Sequence, residues 1–228
     1  LNIVNSSFTI KNTCFINTTS DAFDSDFSNG TVENSRFVNI GKNSGGDAID
    51  ISGAKVKVSD TTFKNIADKG LSVGERSNME VNNVSIENSS YGIACKDSSK
   101  IHLKNSSFKN INNAGLIAYS KKPEFGGGTI ISENSRFNNV KIKAKVQINS
   151  GIKIDPYNIT CTTTTTDWNL KAMSFPLSLG HAGDAVGACE SYLELHIPET
   201  GRIKNLDQDP AGGGSLDYEA LTDHSNPG

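Results

Sequence analysis

One short phrase recurs six times in this chain, and it narrows the possible folds to very few. It reads "NTCFIN" at 12–17, "NSRFVN" at 34–39, "DTTFKN" at 60–65, "NVSIEN" at 83–88, "NSSFKN" at 105–110 and "NSRFNN" at 134–139. The large apolar residue is Phe15, Phe37, Phe63, Ile86, Phe108 and Phe137, at spacings of 22, 26, 23, 22 and 29. An Asn follows two residues later in every copy: Asn17, Asn39, Asn65, Asn88, Asn110 and Asn139. Three residues before the apolar position stands Asn12, Asn34, Asp60, Asn83, Asn105 or Asn134. Self-similarity at this period marks a repeat architecture.

A second phrase lies between the copies: "DAFDSD", "DAIDIS", "KGLSVG", "YGIACK" and "AGLIAY". Phe23, Ile49, Leu71, Ile93 and Leu116 alternate with their neighbours at period two, the signal of a strand. A third strand precedes each ladder Asn, as in "FTIK", "VKVS" and "IHLK". Three strands per turn of roughly 22 residues, with no helical pattern between them, must coil and stack in parallel at ~4.8 Å. Equal positions then form columns. The Phe column fills the interior. The Asn columns suit bends, because Asn tolerates left-handed backbone and stacked amides bond between coils.

These residues resemble the right-handed single-stranded parallel β-helix of the pectate-lyase-like superfamily. The resemblance implies an all-β fold of about six coils over residues 1–155. A Thr-rich connector at 156–168 and a C-terminal cap or small β extension with a flexible tail at 169–228 are expected to follow. "DAFDSDFS", "GDAIDISG", "YGIACKDSSK" and "AYSKKPEFGGG" more narrowly resemble bacterial β-helix modules. Such modules accompany spore-coat-type (CotH) kinase domains or cell-surface proteins, which implies secretion or surface display.

Stacking also gathers charge. Asp24 and Asp50 share a column, Asp21 and Asp47 a neighbouring one, and Asp26 lies two residues from Asp24. Like charges opposite one another destabilise a sheet. The offsetting cations are expected to be Lys69, which follows Asp47 in its column, Lys96 further along, and Arg76 in a turn. A hard cation such as Ca²⁺, which takes several carboxylate oxygens, is the other expected remedy, with Asp21, Asp24, Asp26, Asp47 and Asp50 as its ligands. The superfamily resemblance implies a further role: Ca²⁺ holds an acidic sugar and a Lys or Arg removes a proton. Lys69 stands in the place for that base. Arg76, Lys96 and Tyr119 would contact the saccharide. The turns 41–46 and 121–128 are expected to wall a groove. A plainer reading stands beside this one. The acids are then a solvated edge that discourages strand aggregation, and Asp47–Lys69 is a surface ion pair worth about 0.5 kcal/mol.

Other features mainly exclude. With 228 residues and a net charge of −3, the chain lacks the basic stripe of a nucleic-acid binder. No apolar run approaches the roughly 18 residues of a membrane span. The chain begins at Leu1 with no visible leader, as a mature form or a fragment would. The motifs Asp-Pro-His-Glu, Asn-Thr-Asp and Gly-His-Gly of related epimerases and polygalacturonases are missing; "RIK" at 202–204 stands without companions. "HIPETG" lacks the apolar span of a sortase signal. His102 is expected outward and solvated, Cys95 inward and Cys14 outward. Cys161 and Cys189 are free to pair in an exported protein. Three functions fit: a non-catalytic module binding a surface glycan, acidic polysaccharide or surface partner; a Ca²⁺-dependent lyase or epimerase; and a structural spacer or fibre.

Overall fold

The strands come in triplets. The first coil holds β1 (Asn2–Val4), β2 (Ser7–Lys11) and β3 (Cys14–Thr18). The second holds β4 (Phe23–Asp26), β5 (Asn29–Glu33) and β6 (Arg36–Ile40). Then follow β7 (Ile49–Ser52), β8 (Lys55–Ser59), β9 (Thr62–Gly74), β10 (Asn78–Asn82), β11 (Ser85–Lys96), β12 (Lys100–Lys104), β13 (Ser107–Tyr119), β14 (Thr129–Glu133), β15 (Arg136–Gln147) and β16 (Gly151–Ile154). This computed structural model describes residues 1–42 and 45–155 fully. It also gives the strand pairing of β17 (Tyr157–Thr162), β18 (Asp184–Ala188) and β19 (Tyr192–Leu195). No helix occurs among the described residues.

One sheet carries β2, β5, β8, β10, β12, β14 and β16 in parallel order, which makes seven coils rather than about six. The seventh coil was missed because no Phe-Asn phrase follows β16. The longer strands β9, β11, β13 and β15 each turn a corner and serve two faces: the first part of β9 pairs with β6, and its second part with β7. The corner residues Asn65, Asn88, Asn110 and Asn139 have φ of 58°, 58°, 55° and 51°. Asn accepts this left-handed backbone at lower cost than most residues, because its short side chain bonds locally.

Register follows the repeat. Phe15 pairs with Phe37, Phe37 with Phe63, Phe63 with Ile86, Ile86 with Phe108, and Phe108 with Phe137. The Phe37 and Phe63 rings stack with centroids 5.1 Å apart, and both side chains are buried. Stacked amides run along both Asn corners. Asn39, Asn65, Asn88, Asn110 and Asn139 each donate Nδ2 to the ladder Asn one coil earlier, at 2.8–3.1 Å. In the other ladder Asp60 Oδ1 takes the amide of Asn83 at 2.7 Å.

A buried Ser/Thr column completes the corners and escaped the sequence reading. The Ser35 hydroxyl accepts from Thr13 N at 3.2 Å and donates to Glu33 O at 2.8 Å. Ser106 does the same with Val84 N and Lys104 O. These hydroxyls satisfy backbone groups that a bend takes out of the ladder. The signal was present as the Ser or Thr after most ladder residues.

At the far end, β17 runs antiparallel to β16, and β19 antiparallel to β15. Reversed strands thus cover edges that a parallel coil would leave unpaired. The expected Cys161–Cys189 bridge lies outside the described residues, as do the "HIPETG" and "RIK" motifs. Cys95 is buried; burial pushes its thiol up to about 12, and Sγ donates to Thr129 O at 3.3 Å. Cys14 is exposed and free. His102 faces outward but is not simply solvated: its Nε2 lies 2.9 Å from Glu133 Oε1, because the register sets the two residues one coil and two positions apart.

Candidate acidic face

The columns expected from sequence exist. Asp24 pairs with Asp50 in register, flanked by Asn2 before and Ser72 after. Asp26 pairs with Ser52. Asp24, Asp26 and Asp50 are half-exposed on the outer surface.

Asp47 does something different. Its side chain turns onto the next coil, where Oδ1 accepts from Lys69 N at 2.9 Å. Asp21 Oδ1 takes the N–H of Asp47 itself at 2.6 Å in the same manner. The Lys69 ammonium lies 3.3 Å from Asp47 Oδ1 and also bonds Asp68, an acid the repeat did not flag. Asp47 is 6% exposed. Its burial pushes the carboxyl up to about 6, helped by Asp50 and Asp68, although Lys69 pulls it down. Burial alone would lower Lys69, but Asp47 and Asp68 outweigh it and hold the amine above its ordinary value. Lys69 is therefore a fixed cation at neutral pH.

Lys96 is spent inside the face as well. It is 6% exposed, donates to Ser72 Oγ at 2.8 Å, and lies 3.6 Å from Asp50 Oδ1. That last separation is an ion pair rather than a hydrogen bond. The lysine stem runs across Gly74, where an added Cβ would meet Lys96 Cε at 2.8 Å. Asp21, Asp24 and Asp26 have no ion-pair partner among the described residues. Partial burial, then Asp21 and Asp50, push Asp24 up to about 6.

Arg76 and the 121–128 turn hold each other. The Arg76 guanidinium sits 5.3 Å from the Phe125 ring centroid, and Glu75 bonds Lys122. Asp97, fully buried and unflagged by the repeat, takes the N–H groups of Lys121 and Lys122 on Oδ1 at 2.7 and 2.8 Å. Tyr119, half-buried, follows Lys96 one coil on. The 41–46 turn is described only in part. A hollow of about 690 Å³ beside it is lined by Asn17, Asn39, Ile40, Lys42 and Asn65, so it belongs to the ladder corner.

The acids have oxygen donors of the kind Ca²⁺ takes. Two of the five, however, are committed to lysines, and among the described residues no three His, Cys, Asp or Glu side chains converge on a metal-sized point. The residues as arranged do not form a self-contained Ca²⁺ cage.

Stacked parallel coils, inner aromatic columns and amide ladders define a β-helix protein. The chain matches the family described as "Right handed beta helix region" over residues 1–162 and belongs to it. No curated protein matches it. No helix among the described residues is long and apolar enough to cross a membrane.

Proposed function

We propose that the protein is an exported, surface-displayed β-helix module that holds a hydroxyl-rich glycan on its acidic face without cleaving it. The observation that carries this reading is the state of Lys69. A lysine that removes a proton must be neutral part of the time and is tuned downward for the task. Lys69 is clamped by Asp47 and Asp68 and tuned upward. Lys96 is likewise committed to Asp50 and Ser72. What remains outward is a set of acceptors, Asp24 and Asp26, with Tyr119 at the rim. Carboxylates accept hydrogen bonds from sugar hydroxyls, and charge-assisted bonds of this kind are the stronger sort.

One observation favours a second reading, an acidic polysaccharide bridged by Ca²⁺. The pressure of like charges on Asp24 is of the kind a cation relieves. The test combines three measurements on wild type and Asp24→Asn/Asp26→Asn, with Ca²⁺ and with chelator. Neutral-glycan binding that survives chelator and is lost in the double variant is expected. A melting temperature that rises in Ca²⁺ instead selects the bridged reading; at ~100 times the dissociation constant the gain is about 2.7 kcal/mol. Unsaturated product from any polysaccharide would overturn the non-catalytic assignment.

A further inference from the structure

The first coil presents an open sheet edge. Among the described residues, β1, β2 and β3 each pair on one side only, with β4, β5 and β6 of the second coil. These strands hold no proline and no bulge, and Lys11 is their one charged side chain, so the devices that keep an edge from pairing are nearly absent. Val4 and Ile16 are large apolar side chains exposed on the outer surface of this coil. Phe8 and Phe15 end the inner stack and are only partly buried, whereas Phe37, one coil on from Phe15, is fully buried. The far end of the stack shows what such an edge accepts: β17 and β19 lie antiparallel on β16 and β15.

The open edge is symmetric about Thr9. Ile3 and Phe15 face inward six residues to either side of it, and Phe8 and Ile10 one residue to either side. The two corners match as well: Asn5–Ser6 precedes β2 and Asn12–Thr13 follows it, with Asn5 and Asn12 at φ of 49° and 54°. The free backbone groups obey the same symmetry. The carbonyls of Leu1, Ile3, Ser6 and Thr13 and the N–H of Asn12 bond to the second coil. Backbone groups alternate sides along a strand, so those of Asn2, Val4, Ser7, Thr9, Lys11, Cys14 and Ile16 face the open edge. A two-fold axis through Thr9 sets Asn2 opposite Ile16, Val4 opposite Cys14, Ser7 opposite Lys11 and Thr9 opposite itself. Every edge-facing residue thus meets another. The same axis sets Ile3 against Phe15 and Phe8 against Ile10, inward side against inward side. No like charges meet, since Lys11 falls opposite Ser7.

We infer that this edge is a self-association surface, on which two copies of the chain join head to head with their first coils antiparallel. The contact is isologous and closes at two copies. Backbone hydrogen bonds along β1, β2 and β3 fix the register, and covering Phe8 and Phe15 removes apolar surface from water. The inner stack then runs from one copy into the other. The dimer carries two acidic faces, so a ligand held as proposed above is held twice; the contact itself does not depend on that reading.

The test is sedimentation velocity over a concentration series, joined to cysteine cross-linking. Wild type should pass from one copy to two and no further. Thr9→Lys sets two cations face to face on the axis and should raise the dimer dissociation constant at least about tenfold, equal to about 1.4 kcal/mol. Thr9 is exposed, so the melting temperature of the dilute monomer should hold. Thr9→Cys, in a background of Cys14→Ser, Cys161→Ser and Cys189→Ser, should be joined by a short bis-thiol reagent, because directly opposed residues lie about 5.5 Å apart. Thr31→Cys stands one coil on in the same column. Its two copies lie about 14 Å apart, three strand spacings, and should not be joined. Asp24→Asn/Asp26→Asn should dimerise as wild type does. A chain that stays monomeric at the highest concentration overturns the inference, as do open-ended oligomers, which a heterologous contact gives. A dimer that survives Thr9→Lys, that is joined through Thr31→Cys but not Thr9→Cys, or that is lost in the Asp variant overturns it too.

Discussion

Mild acidification should stabilise this protein. Asp47 is pushed from 3.8 up to about 6, chiefly by burial. A carboxyl raised on folding binds its proton more tightly in the native state. Its contribution is fully present below pH 3.8 and is lost as pH rises through about 6. The ceiling is about 3 kcal/mol, at about 1.4 kcal/mol per tenfold in acid constant. Only part is regained at pH 5, about 1 kcal/mol by the same linkage. Asp24 has the same sign but is more exposed, so solvent screening leaves it a few tenths of that at most. The exposed acids Glu80, Glu87 and Glu133 are held low by Lys57, Lys109 and His102 respectively, which lowers them and so acts in the opposite sense. Their contribution falls away only below pH 5. Between pH 7.5 and 5 the raised acids should therefore dominate.

The perturbation is Asp47→Asn. The amide keeps an oxygen to accept from Lys69 N, and Lys69 keeps Asp68. Thermal melts of wild type should shift upward from pH 7.5 to 5 by a few degrees, at about 2–4 °C per kcal/mol for a chain of this size. Asp47→Asn should lose most of that slope. A variant that keeps the full upward shift would refute the assignment of the buried acid.

Two more predictions follow from packing. Phe63→Ala removes a fully buried ring stacked on Phe37 and should cost about 3–5 kcal/mol in a denaturant melt. Lys57→Ala, an exposed pair with Glu80, should cost less than about 1 kcal/mol, and equal midpoints would mean that the Phe column is not the core. Gly74→Ala should cost about 1–3 kcal/mol, because its Cβ displaces the Lys96 stem. The cost should shrink in a Lys96→Ala background, as a double-mutant cycle would show.

What the sequence made legible is whatever repeats once per coil. Phe37 and Phe63, Asn65 and Asn88, and Asp24 and Asp50 all met in register because period alone places them. Three things were not legible. The seventh coil has no Phe phrase. Asp47 was placed in the right column but its direction was not foreseen, since a side chain in a turn follows local dihedrals rather than strand alternation. Lys96 was expected as an offset to the acids and does reach Asp50, but Asp97, which anchors the turn one coil on, stands at no repeated acidic position. Such contacts depend on where one backbone bends, and a single sequence carries no repeated signal for a bend that occurs once.

The three faces of the stack give the strongest reason to read charge as function here. On the face built from β2, β5, β8, β10, β12 and β14, three ion pairs join successive coils. Lys11 meets Glu33 at 3.2 Å, Lys57 meets Glu80 at 2.8 Å, and Lys104 meets Glu133 at 3.1 Å, each pair in direct register. A parallel stack can therefore set opposite charges in register, and in two columns of this face it does. Opposite charges in register are thus open to this stack, yet Asp24 and Asp26 have no such partner among the described residues. That excess costs repulsion that a single substitution would remove, since opposite charges in register attract where like charges repel. A ligand that supplies the missing partner turns that cost into affinity.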